Sequence, residues 1–207
     1  MLTLAVMALM LADDPKPVAP KAADGDAKLA EGFPDATKPG AIEVKTYPAY
    51  RGAVATGEGM TGGSGDALFF PLFLHIQKNK VEMTAPVISQ FADPRMVEDP
   101  KARGEMSMEF VYPTPRDGKP GPDGKVVKVV DHPAKTFVCL GVQGRMGEGP
   151  MRDGMATLKG WLDAHKAEYA EDGPPRRVGY HGPMTPEAQR LWEVQLPVKK
   201  VGAATKP

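Results

Sequence analysis

The sequence predicts an α+β fold in which a mainly antiparallel β-sheet is accompanied by two helices. Three observations lead to this prediction: runs of alternating apolar and polar residues, two apolar segments of helical length, and a similarity between the two halves of the chain. Two helices are too few to cover both faces of a parallel sheet. We therefore expect most strand pairs to be antiparallel.

The strands are predicted from period-two alternation. In the first run, Ile42 and Val44 alternate with Glu43 and Lys45. In the last run, Trp192, Val194, Leu196 and Val198 share one face. The predicted strands cover residues 42–47, 51–56, 81–91, 105–112, 125–142, 176–180 and 190–198.

Helices are predicted over residues 66–78 and 151–169. Because proline removes a hydrogen bond beyond the first helical turn, the first helix is expected to begin near Pro71. The second helix carries an apolar stripe that includes Met151, Met155 and Leu158.

The two halves of the folded part resemble each other. Ile42, Val44 and Pro48 match Val127, Val129 and Pro133 at one constant spacing, and the helices follow at corresponding places. Two strand-helix-strand-strand halves would form a curved or closed antiparallel sheet with two flanking helices. The groove between such halves is a usual place for a ligand.

The folded domain is predicted to cover residues 41–199. Residues 1–12 contain a short apolar run that is typical of a signal peptide, so export to the periplasm or envelope is expected; the run is too short to span a bilayer. Residues 13–40 are rich in Ala, Pro, Lys, Asp and Gly, and Phe33 is their only aromatic residue, which predicts a disordered linker. Residues 200–207 are predicted to be a disordered tail.

The composition narrows the functional classes. Lys and Arg together number 26, as do Asp and Glu, so the chain lacks the basic excess with which nucleic-acid-binding proteins neutralise phosphates. Neither a nucleic-acid partner nor an integral membrane domain is expected. The single cysteine, Cys139, excludes a disulfide within the chain and a multi-thiolate metal site.

Several segments resemble one known family. Residues 81–87 (VEMTAPV) resemble the I-x-M-T-A-P-V segment typical of the SOUL haem-binding family. Residues 69–76 resemble its F-x-x-L-x-x-Y-I helix, with His75 where tyrosine is usual, and residues 108–113 are similar to its third strand. The end of the domain, from Tyr180 to Val194, resembles the family's Y-x-x-P … N-E-V-W ending.

The resemblance implies a distorted, mainly antiparallel β-barrel of two similar β-α-β-β halves with two flanking helices. It also implies non-catalytic binding of haem or another tetrapyrrole, a planar hydrophobic small molecule, in an apolar groove. Some members have a proposed axial histidine in the first strand, where this chain has Thr46. Other members hold porphyrin without an iron ligand, so the resemblance implies the groove with or without iron ligation.

The residues expected to contact such a ligand are aromatic, thioether or imidazole side chains near the shared segments. They are Phe69, Phe73, His75, Met83, Phe110 and Tyr180. His75 is a candidate iron ligand as a neutral imidazole. Core packing is the alternative role of each of these residues.

Two other functions are compatible with the sequence. The duplicated architecture also resembles GyrI-like small-molecule-binding domains, some of which are hydrolases. In such a hydrolase, Glu193 would be the general acid or base and Tyr180 would orient the substrate. Glu193 is expected either to be solvated, opposite the apolar face of its strand, or to pair with Glu109 in the groove, where burial would raise its pKa. The third function is a purely structural or partner-binding domain on a tether.

Overall fold

The structure, a computed structural model, has an α+β architecture, as predicted. The described residues are 27–59, 66–99, 101–182 and 184–202. Within them, the strands are β1 (Ile42–Tyr47), β2 (Tyr50–Gly59), β3 (Val87–Phe91), β4 (Gly104–Val111), β5 (Gly121–Asp123), β6 (Val127–His132), β7 (Lys135–Gln143), β8 (Tyr169–Glu171), β9 (Arg176–Gly179) and β10 (Leu191–Lys200). The helices are α1 (Asp66–Asn79), α2 (Arg95–Glu98) and α3 (Glu148–Ala164). The apolar run at 1–12, residues 13–26 and residues 203–207 lie outside the described residues.

Helix α1 begins well before Pro71, so the prediction of a later start is wrong. Leu68, Leu72 and Ile76 are buried, and their spacing of four residues places them on one face against the sheet. Burial of this stripe on both sides of the proline stabilises the helix through the position where a hydrogen bond is missing. No helix in the described part of the chain is long and apolar enough to cross a membrane.

The strands form one antiparallel sheet with the order β1-β7-β10-β9-β3-β4-β2-β6-β5, and β8 pairs with β10. Only Pro48 and Ala49 separate β1 from β2, although the two strands lie far apart in this order. The chain between β6 and β7 is equally short. No pairing among the described strands joins β1 to β5, and closure of a barrel requires a continuous ladder. The sheet is therefore open, and the predicted distorted barrel is not confirmed.

The strand order is symmetrical. The eight strands from β1 to β6 form four pairs that lie at equal distances from the two ends of the order. These pairs are β1 with β6, β7 with β2, β10 with β4, and β9 with β3. Two similar halves would produce such an order. The duplication itself stays a prediction.

The two faces of the sheet are covered differently. On one face, α1 and α3 pack over an apolar core, and the predicted stripe of β10 is buried there: Trp192, Val194, Leu196 and Val198. The opposite face carries a second buried cluster that includes Tyr47, Tyr50, Val178 and Tyr180. We call the second face the strap face, because residues 27–40, the strap, lie across it.

The strap corrects the linker prediction for residues 27–40. Ala30 and Phe33 are buried in the strap-face cluster, and Thr37 is 1% exposed. The ring of Phe33 meets Tyr47 and Tyr50 edge to face, with ring centroids 5.2 and 5.1 Å away. Long-range contacts of these few residues order a segment whose composition alone predicts disorder.

Candidate functional site

A buried polar network lies beneath the strap, and Glu193 is at its centre. Glu193 is 0% exposed because the strap covers the polar side of β10. Its Oε1 accepts hydrogen bonds from the Thr37 backbone N–H at 2.5 Å and from Lys45 Nζ at 2.9 Å. Its Oε2 accepts hydrogen bonds from Tyr47 Oη at 3.4 Å and from the side-chain amide of Gln195. Glu193 is therefore not solvated.

The network keeps Glu193 ionised. Burial alone would raise the pKa of its carboxyl group, but the Lys45 charge and the hydrogen bonds from Thr37, Lys45 and Gln195 outweigh it and lower the pKa. The expectation of a raised pKa at this position is wrong. The carboxylate has the properties of a structural anion rather than of a proton donor near neutral pH.

Arg176 extends the network across the strap face. Its Nε donates to Gln195 Oε1 at 2.7 Å, and its guanidinium carbon lies 3.5 Å from the ring centroid of Phe137 and 4.9 Å from that of Tyr47. The Arg176 guanidinium group therefore lies against the aromatic side chains of the strap face.

Glu109 lies on β4, the strand related to β10 by the symmetry of the strand order. Its Oε2 accepts a hydrogen bond from Tyr50 Oη at 3.2 Å. His132 Nε2 lies 2.9 Å from Oε1, within ion-pair distance but without hydrogen-bond alignment. A Cβ at Gly52 would overlap this carboxylate, so glycine leaves the room that Glu109 occupies. The structure places both carboxylates on the strap face, each with its own partners.

Tyr180 connects the network to a cavity. Its hydroxyl lies 3.3 Å from that of Tyr47. Burial, together with the nearby Tyr47 and Glu193, raises its pKa far above the ordinary value, so the phenol stays protonated. The ring of Tyr180 lines the cavity beside it.

The cavity has a volume of about 560 Å³ and lies between the strap and the sheet. Its lining is Ala27, Leu29, Pro34, Asp35, Ala36, Thr37, Lys38, Pro39, Glu43, Lys45, Ala85, Tyr180, His181 and Leu191. More than half of these residues belong to the strap. The volume is within the range of sites for small organic ligands.

The structure separates the six residues predicted to contact the ligand. Phe69 and Phe110 meet edge to face at 5.0 Å, Phe69 and Phe73 stack at 6.3 Å, and Met83 packs against the same helix-covered core. Tyr180 lies on the strap face. Phe69, Phe73, Met83 and Phe110 therefore lie around α1. Of the six predicted residues, only Tyr180 borders the cavity.

Whether a histidine could ligate iron depends on the hydrogen bonds of its ring nitrogens. His75 Nδ1 lies 2.5 Å from Asp123 Oδ2, and its Nε2 lies 2.6 Å from Tyr112 Oη, so both ring nitrogens are in use. At the cavity, His181 Nδ1 accepts the backbone N–H of Leu191 at 2.8 Å. Nε2 of the neutral ring then carries the proton and has no lone pair for iron. In the described part of the chain, no cluster of three or more His, Cys, Asp or Glu residues could hold a metal ion. At the cavity, the hydrogen bond from Leu191 therefore occupies the His181 nitrogen that could otherwise accept a metal.

Sequence reasoning missed Phe33, Thr37, Lys45, Gln195 and Arg176. Two signals were available. Phe33 is the only aromatic residue in the Ala- and Pro-rich segment, and Lys45 lies on the same face of β1 as the buried Tyr47. The Thr37 contact uses a backbone group, which side-chain patterns do not reveal.

Comparison with known proteins gives a family and a fold. The model of the SOUL heme-binding protein family matches residues 34–197, whereas no curated protein matches the chain significantly. Among solved structures, the chain is similar to that of the EcmrR–DNA complex (20% identity, TM-score 0.63, 78% of this chain and 58% of that one). It is also similar to the EcmrR C-terminal domain (19% identity, TM-score 0.56, 78% of this chain and 98% of that one). A hydrolase from Listeria innocua is similar as well (14% identity, TM-score 0.55, 79% of this chain and 94% of that one). At these identities the structural likenesses show the fold alone.

Proposed function

Because the chain belongs to the SOUL heme-binding protein family, we propose that it binds haem or another tetrapyrrole without catalysis. The observation that carries this proposal is the cavity of about 560 Å³ beneath the strap. Leu29, Pro34 and Leu191 give it apolar walls for a planar ring, and Tyr180 adds an aromatic residue to the lining. Lys38 lines the same cavity and is a suitable partner for an acidic side chain of the ligand.

The proposal does not require iron ligation by histidine. Both ring nitrogens of His75 have hydrogen-bond partners, and Nδ1 of His181 accepts the Leu191 N–H, so these hydrogen bonds compete with iron ligation by either ring. We therefore expect the metal-free ring to bind about as well as haem.

Titration of the purified protein with haemin and with protoporphyrin IX tests this function. We expect a saturable change in the Soret band at micromolar protein for both compounds, with dissociation constants within about tenfold of each other. Absence of any saturable change would refute tetrapyrrole binding. A strong preference for haemin would show that a side chain of the protein ligates iron.

A variant that fills the cavity locates the site. Ala36→Trp places an indole in the cavity and should weaken binding by about tenfold or more, which corresponds to about 1.4 kcal/mol. Ala156→Trp, on the exposed side of α3, is the matched control and should bind as the wild type does. Phe73→Ala tests the alternative surface, where Phe73 is 37% exposed on α1. If this variant loses affinity and Ala36→Trp does not, the ligand binds at α1.

No observation favours the hydrolase alternative. A general acid or base must reach the substrate and must have a pKa near the working pH. Glu193 is 0% exposed, its oxygens are occupied by four partners, and its pKa is lowered. These properties are those of an anion that holds structure together.

A further inference from the structure

Backbone hydrogen bonds attach the strap to the rest of the domain at both ends. At its start, Ala30 N–H donates to the carbonyl of Ala85 at 3.0 Å, and Glu31 N–H donates to that of Pro113 at 2.9 Å. At its end, Gly40 N–H donates to Gly141 at 2.8 Å. The strap thus starts at the segments that flank β3 and β4 and ends on β7.

The middle of the strap is attached by side chains of the sheet. Glu193 accepts the Thr37 N–H, and Lys45 Nζ donates to the carbonyl of Asp35 at 2.6 Å. Lys45 and Glu193 are themselves an ion pair, with side chains 8% and 0% exposed. The buried Lys45–Glu193 pair therefore binds the strap backbone at Asp35 and at Thr37.

The same part of the strap is the wall of the cavity. The lining residues between the two backbone attachments are Pro34, Asp35, Ala36, Thr37, Lys38 and Pro39. A displacement of this stretch would open the cavity and leave β1, β9 and β10 in place.

We propose that Glu193 is a positioning residue, a latch that with Lys45 holds the strap closed over the ligand site. The latch opens locally to admit the ligand, and a bound ligand holds it closed. This inference rests on the proposed function for the identity of the ligand. Local opening of the strap does not depend on that identity, because it follows from contacts within the chain.

Gly141 provides a way to loosen the latch without changing a lining residue. A Cβ at this position would overlap the backbone carbonyls of Thr37 and Lys38, which cannot yield as a flexible side chain can. Gly141→Ala should therefore push the strap outward. Gly160→Ala is the matched control, because a Cβ there, on the exposed side of α3, would meet nothing within 4 Å.

Hydrogen exchange of the full-length protein, with and without saturating protoporphyrin IX, tests the latch. We expect the amide of Thr37, in the middle of the strap, to exchange faster than the central amides of β10. Gly141→Ala and Glu193→Gln should accelerate strap exchange by roughly ten- to hundredfold, the effect of losing a hydrogen bond to a charged group. Exchange in β10 should stay unchanged in Gly141→Ala. Gly160→Ala should not accelerate strap exchange, and protoporphyrin IX should slow it in the wild type.

The outcomes separate the two proposals. If strap amides exchange only as fast as those of β10 in the wild type and in Gly141→Ala, the strap does not open separately and the latch is refuted. If protoporphyrin IX binds without slowing strap exchange, the coupling is refuted. If the strap opens as expected but neither porphyrin binds, tetrapyrrole binding is wrong and local opening at Glu193 is supported.

Discussion

Replacement of Lys45 by methionine tests the electrostatic centre of the strap face. The substitution leaves the Glu193 carboxylate buried without its countercharge, and breaking a buried ion pair in this way typically costs about 3–5 kcal/mol. Hydrogen bonds from Thr37, Tyr47 and Gln195 remain, so we expect the lower end, about 3 kcal/mol at pH 7. For a domain of this size that loss lowers Tm by about 6–12 °C.

The loss should depend on pH. In the wild type, the lowered pKa of Glu193 contributes stability above its ordinary value of 4.5, and this contribution is lost as pH falls through the folded-state pKa. Without Lys45, burial dominates and the folded-state pKa of Glu193 rises. The penalty in the variant is then present above that raised pKa and disappears as pH falls toward 4.5, where the carboxyl group binds a proton.

Urea denaturation of both proteins at pH 7 and at pH 4.5 measures this difference. The double variant Lys45→Met with Glu193→Gln removes the unpaired charge and should recover most of the stability at pH 7. A loss below about 1 kcal/mol that is the same at both pH values would show that the Glu193 carboxylate reaches solvent. The burial argument would then be wrong.

The remaining predictions concern α1 and α3. Gly160→Ala should stabilise the protein by up to about 1 kcal/mol through helix propensity, whereas Gly154→Ala should destabilise it, because the new Cβ would lie 2.6 Å from Val194 Cγ2. Thermal denaturation measures both, and a gain in the second variant would show that the core beside α3 has spare room. The hydrogen bond from Lys78, with those of neighbouring side chains, lowers the pKa of Asp123 to about 2, so its contribution to stability exists above its ordinary pKa and is lost as pH falls toward 2. Asp123→Asn should therefore reduce the acid sensitivity of unfolding between pH 4 and 2, and an unchanged pH profile would contradict this assignment.

Alternation in the sequence predicted which side chains share a face of the sheet. Trp192 and Val194 are buried on the helix-covered face, as expected. Alternation could not predict that the other face is buried too, because Glu193 and Gln195 have the polarity of a solvated face. What keeps water from them is a segment far away in the chain. The hydrogen bond between Thr37 and Glu193 spans 156 residues of sequence.

Composition failed for the strap for a related reason. Disorder is predicted where a segment cannot bury enough apolar surface to offset the entropy of ordering. Ala30 and Phe33 bury little surface, but the hydrogen bonds of Thr37 and Gly40 to the sheet add to it. These bonds depend on acceptors in strands that lie far from the strap in the sequence. The composition of the strap itself contains no information about those acceptors. The barrel is not confirmed either, because no strand pair among the described residues joins β1 to β5.

The two covered faces differ in how they can admit a ligand. Beneath α1 and α3, contacts are apolar and close-packed, so a ring that entered beside Phe110 would have to displace many side chains together. The strap face is closed by a few hydrogen bonds, one ion pair and the ring of Phe33. Such point contacts can break together in a local opening that leaves the helix-covered core intact. A ligand site beneath the strap can therefore fill and empty without unfolding the domain, which favours the cavity beside Tyr180 over a site among the aromatic residues packed beneath α1.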